Sequence, residues 1–83
     1  MLEYKFDTQL LIDGHDLDED AINDYFRENF KGDCLIAVGD EDLIKIHYHT
    51  NEPWLVLEYC AGLGDIYDVV VENMERQQNG ENG

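Results

Sequence analysis

Two stretches of the chain alternate between polar and apolar residues with a period of two, and this alternation constrains the fold more than any other feature. Residues 4–12 and 43–49 show it, and it is the pattern of β-strands that bury one face. Between them, residues 22–30 place apolar side chains at the spacing of one helix face: Ile22, Tyr25, Phe26 and Phe30. The chain is therefore predicted to form an α/β domain.

Capping residues and glycines mark the boundaries of the first helix and the hairpin that follows it. Asp16 or Asp18 can accept a hydrogen bond from the free N–H groups of the first helical turn, and Gly32 ends the helix. The short apolar stretch 33–38 is then closed by a Gly-Asp turn. It is predicted to pair with 43–49 as a hairpin.

A second helix and a last strand complete the pattern. Pro53 lies in the first turn of this helix, where its missing N–H costs nothing, and Thr50 or Asn51 can cap it. A glycine ends the helix, and residues 66–73 form the last strand. The residues of the second helix predicted to face inward are Trp54, Leu57 and Ala61.

The resulting order, β-α-β-β-α-β, favours an α+β fold: a ferredoxin-like βαββαβ sandwich with a four-stranded antiparallel sheet, spatial order 4-1-3-2, and both helices on one face. A chain of 83 residues is too short to build two cores. We therefore predict a single α/β domain at 1–74 and a flexible acidic and polar tail at 75–83. The core candidates are Ile12, Phe26, Ile36, Ile46, Trp54 and Val69.

Strand parity assigns side chains to the two faces of the predicted sheet, because successive side chains of a strand point to opposite sides. The face covered by helices is predicted to carry Phe6, Leu10, Ile44, Ile46 and Tyr48. The helix-free face is predicted to carry Asp7, Gln9, Leu11, Lys45, His47 and His49. Function is expected on the helix-free face.

Charge excludes two classes of partner. Twenty acidic residues against five basic ones give a formal net charge of −15, which repels phosphate backbones and anionic headgroups. Nucleic acid and membrane insertion are therefore not expected, and the absence of a signal-like N-terminus or a long apolar run predicts a cytoplasmic protein. Cys34 and Cys60 show no metal-binding or redox spacing, so both are predicted to be reduced packing residues.

His47 and His49 form the one arrangement in the sequence that indicates a chemical function. They are two residues apart on a strand, so their side chains point to the same face and their Cα atoms lie roughly 6.6 Å apart. Asp7 has the parity to face them from the neighbouring first strand, which predicts a metal site for zinc or another divalent ion with an open coordination position. The alternative is a set of partly exposed polar residues on an uncovered sheet. His15, in an acidic turn, is predicted to be solvated and without a role.

Enzyme motifs are missing from the sequence. A hydrolase triad of alternating histidines needs a third histidine where the chain has Asn51, and no glycine-rich phosphate loop with a lysine is present. We therefore predict no catalytic residues, no organic cofactor site and no enzymatic activity for this chain by itself.

An ordered series of motifs runs along the chain: GD at 39–40, HxHTNxP at 47–53 and NMxxQ at 73–77. Together with residues 43–46, 56–59 and 64, this series closely resembles the middle domain of the bacterial fatty acid kinase A subunit, from a dihydroxyacetone-kinase-like family. The resemblance implies a parent protein whose nucleotide-binding domain lies outside these residues. It also implies a zinc-binding Cys-His-His set in which His47 and His49 match the histidines and Asp7 stands where the family has cysteine.

The function implied by the resemblance is a non-catalytic, metal-binding and oligomerising module of a fatty acid kinase assembly. Its implied partners are kinase domains of the same family, a fatty-acid-binding carrier protein and a second copy of the chain. Two alternatives stay open at this point. The first is a freestanding small-ligand or metal-sensing module, and the second is a small metallohydrolase that uses the open position beside Asp7, His47 and His49.

Overall fold

A computed structural model of the protein describes residues 3–78 and contains four strands and three helices in that range. In chain order they are β1 (Phe6–Asp13), α1 (Glu19–Asn29), β2 (Gly32–Gly39), β3 (Leu43–Thr50), α2 (Pro53–Ala61), β4 (Asp65–Asn73) and α3 (Met74–Gln78). The predicted order of strands and of the two longer helices is confirmed.

The strands form one antiparallel sheet in the order β2-β3-β1-β4, which is the predicted order read from the other edge. In the central pair, Asp7 lies opposite His49 and Gln9 lies opposite His47. Since directly opposite residues of an antiparallel pair share a face, all four side chains leave the same side of the sheet. The α+β architecture is thus as expected.

Helix α1 begins as its sequence predicts. The carboxylate of Asp18 accepts a hydrogen bond from the backbone N–H of Ala21 at 3.1 Å, and acidic side chains occupy the first turn, where they face the positive end of the helix dipole. Ile22 and Phe26 are buried on its inner face. Phe26 meets the ring of Tyr48 on β3 edge to face, with centroids 5.0 Å apart. Helix and sheet are therefore joined by aromatic packing.

The core lies between the helices and one face of the sheet. Strand β3 shows the alternation best, with Ile44, Ile46 and Tyr48 buried and the residues between them exposed or half-buried. The buried apolar residues of the described range are Leu10, Ile12, Leu17, Ile22, Phe26, Ala37, Ile44, Ile46, Tyr48, Val56 and Cys60. Burying these side chains is the main force that holds the helices on the sheet.

Three of the predicted core residues are exposed, and the prediction for them was wrong. Ile36 is 47%, Trp54 59% and Val69 42% exposed. Ile36 lies on the helix-free face of β2, opposite His47, while Val69 lies on β4, an edge strand of the sheet.

Helix α2 is also rotated relative to the prediction. Its buried residues are Pro53, Val56 and Cys60, whereas Ala61 is exposed and Leu57 is half-buried. Both cysteines are free, as predicted, but the prediction that Cys34 is a packing residue was wrong, because this residue is exposed.

The segment after β4 differs from the predicted tail. Met74–Gln78 forms a short helix, because the side-chain oxygen of Asn73 accepts a hydrogen bond from the backbone N–H of Arg76 at 3.0 Å and the N–H of Met74 donates to the carbonyl of Lys5 at 2.8 Å. Residues 79–83 of the predicted tail lie outside the described range. No helix among the described residues is long and apolar enough to cross a membrane.

Candidate metal centre

His47 and His49 lie side by side on the helix-free face of β3, because the residues that alternate with them are drawn into the core. Ile46 and Tyr48 are buried on the other face. The histidine side chains are 25% and 21% exposed respectively, so each ring is partly shielded from water. The two Nε2 atoms are 3.1 Å apart and the ring centroids 5.0 Å apart. Each ring therefore turns its Nε2 atom toward the other ring.

Asp7 brings a carboxylate to the same point from β1. Its Oδ1 lies 3.6 Å from Nε2 of His47 and 3.8 Å from Nε2 of His49. Four-coordinate zinc bonded at about 2.0–2.2 Å places neighbouring ligand atoms roughly 3.3–3.6 Å apart. The three donor atoms thus already have nearly the spacing that one tetrahedral ion requires, and the fourth position is left open.

The Asp7 side chain is only 16% exposed, and its two oxygens differ in their surroundings. Oδ2 accepts a hydrogen bond from the Gln9 amide at 3.1 Å. Oδ1 is buried and has no hydrogen-bond partner among the described residues. A buried carboxylate oxygen without a partner is costly, so the arrangement is suited to a cation placed between Oδ1 and the two imidazoles.

Carboxylates extend from this cluster across the sheet. Asp33 on β2, His49 on β3, Asp7 on β1 and Glu72 on β4 lie opposite one another in a single cross-strand row. Asp33 Oδ1 is 3.6 Å from Nδ1 of His49, on the side of the ring turned away from Asp7. The carboxylates of Asp7 and Asp33 both lie within 4 Å of the His49 imidazole and make the local potential negative, so the site favours cations.

The structure brings together all three residues predicted as ligands, while His15 is exposed in the connection before α1, as expected. The sequence analysis missed a second group of possible ligands at Asp33, Cys34 and His49. Strand parity places Asp33 and Cys34 on opposite faces, and no sequence signal indicated the irregularity that brings them both to His49.

Comparison with known proteins places the chain in a family. A family model for the middle domain of fatty acid kinase A-like (FakA-like) proteins matches residues 3–81. The chain belongs to this middle-domain family. It is similar to protein YloV of Bacillus subtilis (strain 168), with 31% identity over 78 residues, which are 92% of this chain and 14% of YloV.

Staphylococcal proteins show a shorter match to this middle domain. An uncharacterized protein of Staphylococcus saprophyticus is 39% identical over 54 residues, 63% of this chain and 10% of the relative. One from Staphylococcus aureus (strain USA300) is 37% identical, also over 54 residues, 63% of this chain and 10% of the relative. The middle domain thus spans about a seventh or less of the relatives it matches.

The residues that follow His49 in the HxHTNxP motif are explained by backbone contacts that hold the site together. The Thr50 hydroxyl donates to the carbonyl of Lys31 at 2.9 Å and accepts from the N–H of Glu52 at 3.2 Å. The Asn51 side chain donates to the carbonyl of Glu3 and accepts from the N–H of Lys5, both at 2.9 Å. These contacts tie the segment before β1, and hence Asp7, to the strand that carries the histidines.

The GD motif fixes the register of the β2–β3 hairpin. Gly39 has a φ of 150°, and a Cβ atom there would collide with the carbonyl oxygen of Leu43. The Asp40 carboxylate accepts hydrogen bonds from the N–H groups of Asp42 and Leu43 at 2.9 and 3.0 Å. Because a slip of one residue would move every side chain to the other face, this turn keeps the histidines on the helix-free face.

Proposed function

We propose that this middle domain is a non-catalytic module that holds one divalent ion, zinc for preference, between Asp7, His47 and His49. The observation that supports this proposal most strongly is the buried, unpartnered Asp7 Oδ1 facing two imidazole nitrogens. Two imidazoles and a carboxylate suit zinc and similar divalent ions. A bound ion would cross-link the two central strands and neutralise part of the acidic row.

Gln9 and Asp33 support the proposed ligands from outside. The amide of Gln9 holds the second oxygen of Asp7, and the carboxylate of Asp33 faces the outer nitrogen of His49. Such partners orient metal ligands and favour the tautomer that presents a lone pair to the ion.

Metal analysis of protein purified without chelator, followed by zinc titration against a competing chelator, tests the site. We expect close to one ion per chain in the wild type, weaker zinc binding in His47→Ala and loss of binding in His49→Ala, with unchanged circular dichroism. His15→Ala is the matched control, since this histidine is exposed and outside the cluster. Zinc affinity in His47→Ala equal to that of the wild type would reject the proposed site.

The identity of the third ligand can be tested by changing its softness. Asp7→Cys places the ligand type implied by the family resemblance at this position, and thiolate is a softer donor than carboxylate. We expect Asp7→Cys to bind zinc more tightly than the wild type. Unchanged zinc affinity in Asp7→Cys would remove Asp7 from the ligand set.

We further propose that the module supports a kinase whose substrate is an acyl group presented by a carrier protein, and that the kinase domains lie elsewhere in a longer protein. The family membership and the share of YloV that the domain covers support this proposal. In an assay with ATP, a fatty acid and its carrier protein, the isolated domain is expected to give no turnover. Turnover that survives repurification would reject the non-catalytic assignment.

Exposed apolar side chains offer surfaces for assembly, either with kinase domains or with a second copy. On the helix-free face, Ile36, Val38 and Leu43 are 47%, 49% and 41% exposed. Such a group of partly exposed apolar residues on a small domain is typical of an interaction site. Light scattering of the wild type and of an Ile36→Asp, Val38→Asp double variant tests whether this surface joins two copies.

A further inference from the structure

A second group of metal-ligating side chains lies on the outer side of His49. It consists of Asp33, Cys34 and His49, whose ligand atoms all lie within 4.8 Å of one another. Asp33 Oδ1 is 3.6 Å from Nδ1 of His49, whereas the Nε2 atom of the same ring faces Asp7 and His47. The two groups thus approach one imidazole from its two nitrogens.

An irregularity in β2 creates this group. Asp33 pairs with His49 and Ile36 pairs with His47, so the two positions between Asp33 and Ile36 have no counterpart on β3. In a regular strand, Asp33 and Cys34 would point to opposite faces. At this bulge the backbone of Cys34 has a φ of 55°, which is uncommon for a non-glycine residue, and both side chains reach the same ring.

We infer that Asp33, Cys34 and His49 form a second, solvent-facing cation site for thiophilic divalent ions, with Zn²⁺ and Cd²⁺ as the chemical class. A thiolate, an imidazole and a carboxylate together suit zinc and its softer analogues and disfavour magnesium and calcium. Cys34 is exposed, so its sulfur is accessible to an ion from solvent, and binding releases the thiol proton.

The two sites compete for His49. A neutral imidazole carries one proton and offers one lone pair, so the ring serves one ion at a time through either Nε2 or Nδ1. Each site also has two ligands of its own: Asp7 and His47 for the site of the proposed function, Asp33 and Cys34 for the second. Softer ions are expected at the second site, because it alone contains sulfur.

Cd²⁺ titration of the reduced protein tests this inference, because a thiolate bound to Cd²⁺ gives an ultraviolet charge-transfer band. We expect the band in the wild type, its complete loss in Cys34→Ser and in His49→Ala, and a weaker Cd²⁺ affinity in Asp33→Asn. Cys60→Ser is the matched control and should keep the band, since the Cys60 thiol is buried and its pKa is raised to about 12 by that burial. A band of wild-type intensity in Cys34→Ser, or no band in the wild type, overturns the inference.

Variants of the first site separate this inference from the proposed function. In Asp7→Ala and His47→Ala the thiolate band should persist and saturate at the same or a lower Cd²⁺ concentration, because competition for His49 is removed. Loss of the band in both of these folded variants would also overturn the inference. Failure of the proposed function has a different signature, namely zinc binding that is insensitive to His47→Ala.

Protection of Cys34 from alkylation gives an independent measurement. Cd²⁺ should slow the reaction of iodoacetamide with Cys34 in the wild type and leave the rate unchanged in His49→Ala. Equal protection in the two proteins would mean that the thiol binds the ion without the ring, and the three-residue site would be rejected. Mg²⁺ should protect in neither protein.

Discussion

Thr8 and Thr50 are two buried threonines whose hydroxyls differ in their surroundings. The Thr8 hydroxyl has no hydrogen-bond partner among the described residues, whereas that of Thr50 donates to one backbone group and accepts from another. A buried polar group without a partner destabilises a fold. We expect Thr8→Val, which keeps the side-chain shape, to raise the free energy of unfolding by about 1 kcal/mol.

Thr50→Val is the matched control for this prediction. It has the same chemistry but leaves the carbonyl of Lys31 and the N–H of Glu52 without their partner, so it should lower the free energy of unfolding by about 1–3 kcal/mol. Urea denaturation of the three proteins measures both changes. A decrease in Thr8→Val as large as that in Thr50→Val would show that the Thr8 hydroxyl is satisfied.

The two cysteines are expected to differ in reactivity. Cys34 is exposed, whereas burial raises the pKa of Cys60 to about 12, so Cys60 remains a thiol at mildly alkaline pH. A thiol reagent at pH 8 should label one cysteine quickly in the folded wild type and none in Cys34→Ser. Rapid labelling of folded Cys34→Ser would contradict the burial of Cys60.

Burial of Cys60 also predicts a dependence of stability on pH. Its pKa in the folded protein is above the ordinary thiol value of 9.0, so the unfolded chain loses this proton first as the pH rises. The contribution to stability is fully present below pH 9 and is lost between pH 9 and about pH 12. The pKa values of Tyr48 and Tyr59 are raised as well, mainly by burial, and act in the same direction at higher pH. In denaturation experiments, the free energy of unfolding of Cys60→Ala should fall less between pH 9 and 10 than that of the wild type.

The three proposed ligands could be predicted at the level of residues because only two rules were needed. The period of two places His47 and His49 on one face, and the order of the strands makes Asp7 their neighbour. The second group at Asp33 and Cys34 could not be predicted in this way. It depends on a positive φ at a residue type that rarely adopts one, and nothing in the sequence marks that position.

At the scale of elements, α2 is a helix whose hydrophobic periodicity does not identify its buried face. Its sequence, Pro53–Ala61, is apolar nearly all round, so several faces could turn inward with similar burial. The structure buries Val56 and leaves Trp54 59% exposed. In α1 the predicted inner residues Ile22 and Phe26 are buried, because polar residues cover the rest of that helix, whereas Tyr25 is 39% exposed.

This orientation of α2 predicts unequal effects of two substitutions. Val56 is fully buried, so Val56→Ala should lower the free energy of unfolding by about 2 kcal/mol through lost contacts and a small cavity. Trp54→Ala should change it by less than about 0.5 kcal/mol in the isolated domain, because most of the ring faces solvent. Chemical denaturation followed by circular dichroism measures both, and the reverse order would mean that the helix packs in the predicted rotation instead.

Irregularities in the edge strands explain the other differences between prediction and structure. Both β2 and β4 contain register shifts, with positive φ at Cys34 and Asp68. Each shift interrupts the simple alternation on which assignment to a face depends. The central strands β1 and β3 are regular where they pair with each other, and their face assignments were all correct.

At the scale of the whole molecule, a net charge of −15 on 83 residues works against the compact state through self-repulsion. The cross-strand row of Asp33, Asp7 and Glu72 concentrates part of this repulsion on one face of the sheet. A divalent cation bound there relieves it in addition to joining β1 to β3. Metal binding and stability should therefore be linked even though the core is built without metal.

The last prediction follows from this linkage. The eleven buried apolar residues form a continuous core between helices and sheet, and none of the proposed ligands belongs to it, so the metal-free domain should fold. Zinc at about 100 times its dissociation constant adds about 2.7 kcal/mol by mass action. For a domain of this size that corresponds to a rise of about 10–20 °C in the melting temperature. Calorimetry with zinc and with chelator measures the shift, and His49→Ala, which lacks the shared ligand, should show none. An unfolded spectrum in chelator at 25 °C would show instead that the ion is obligatory for folding, as in zinc fingers.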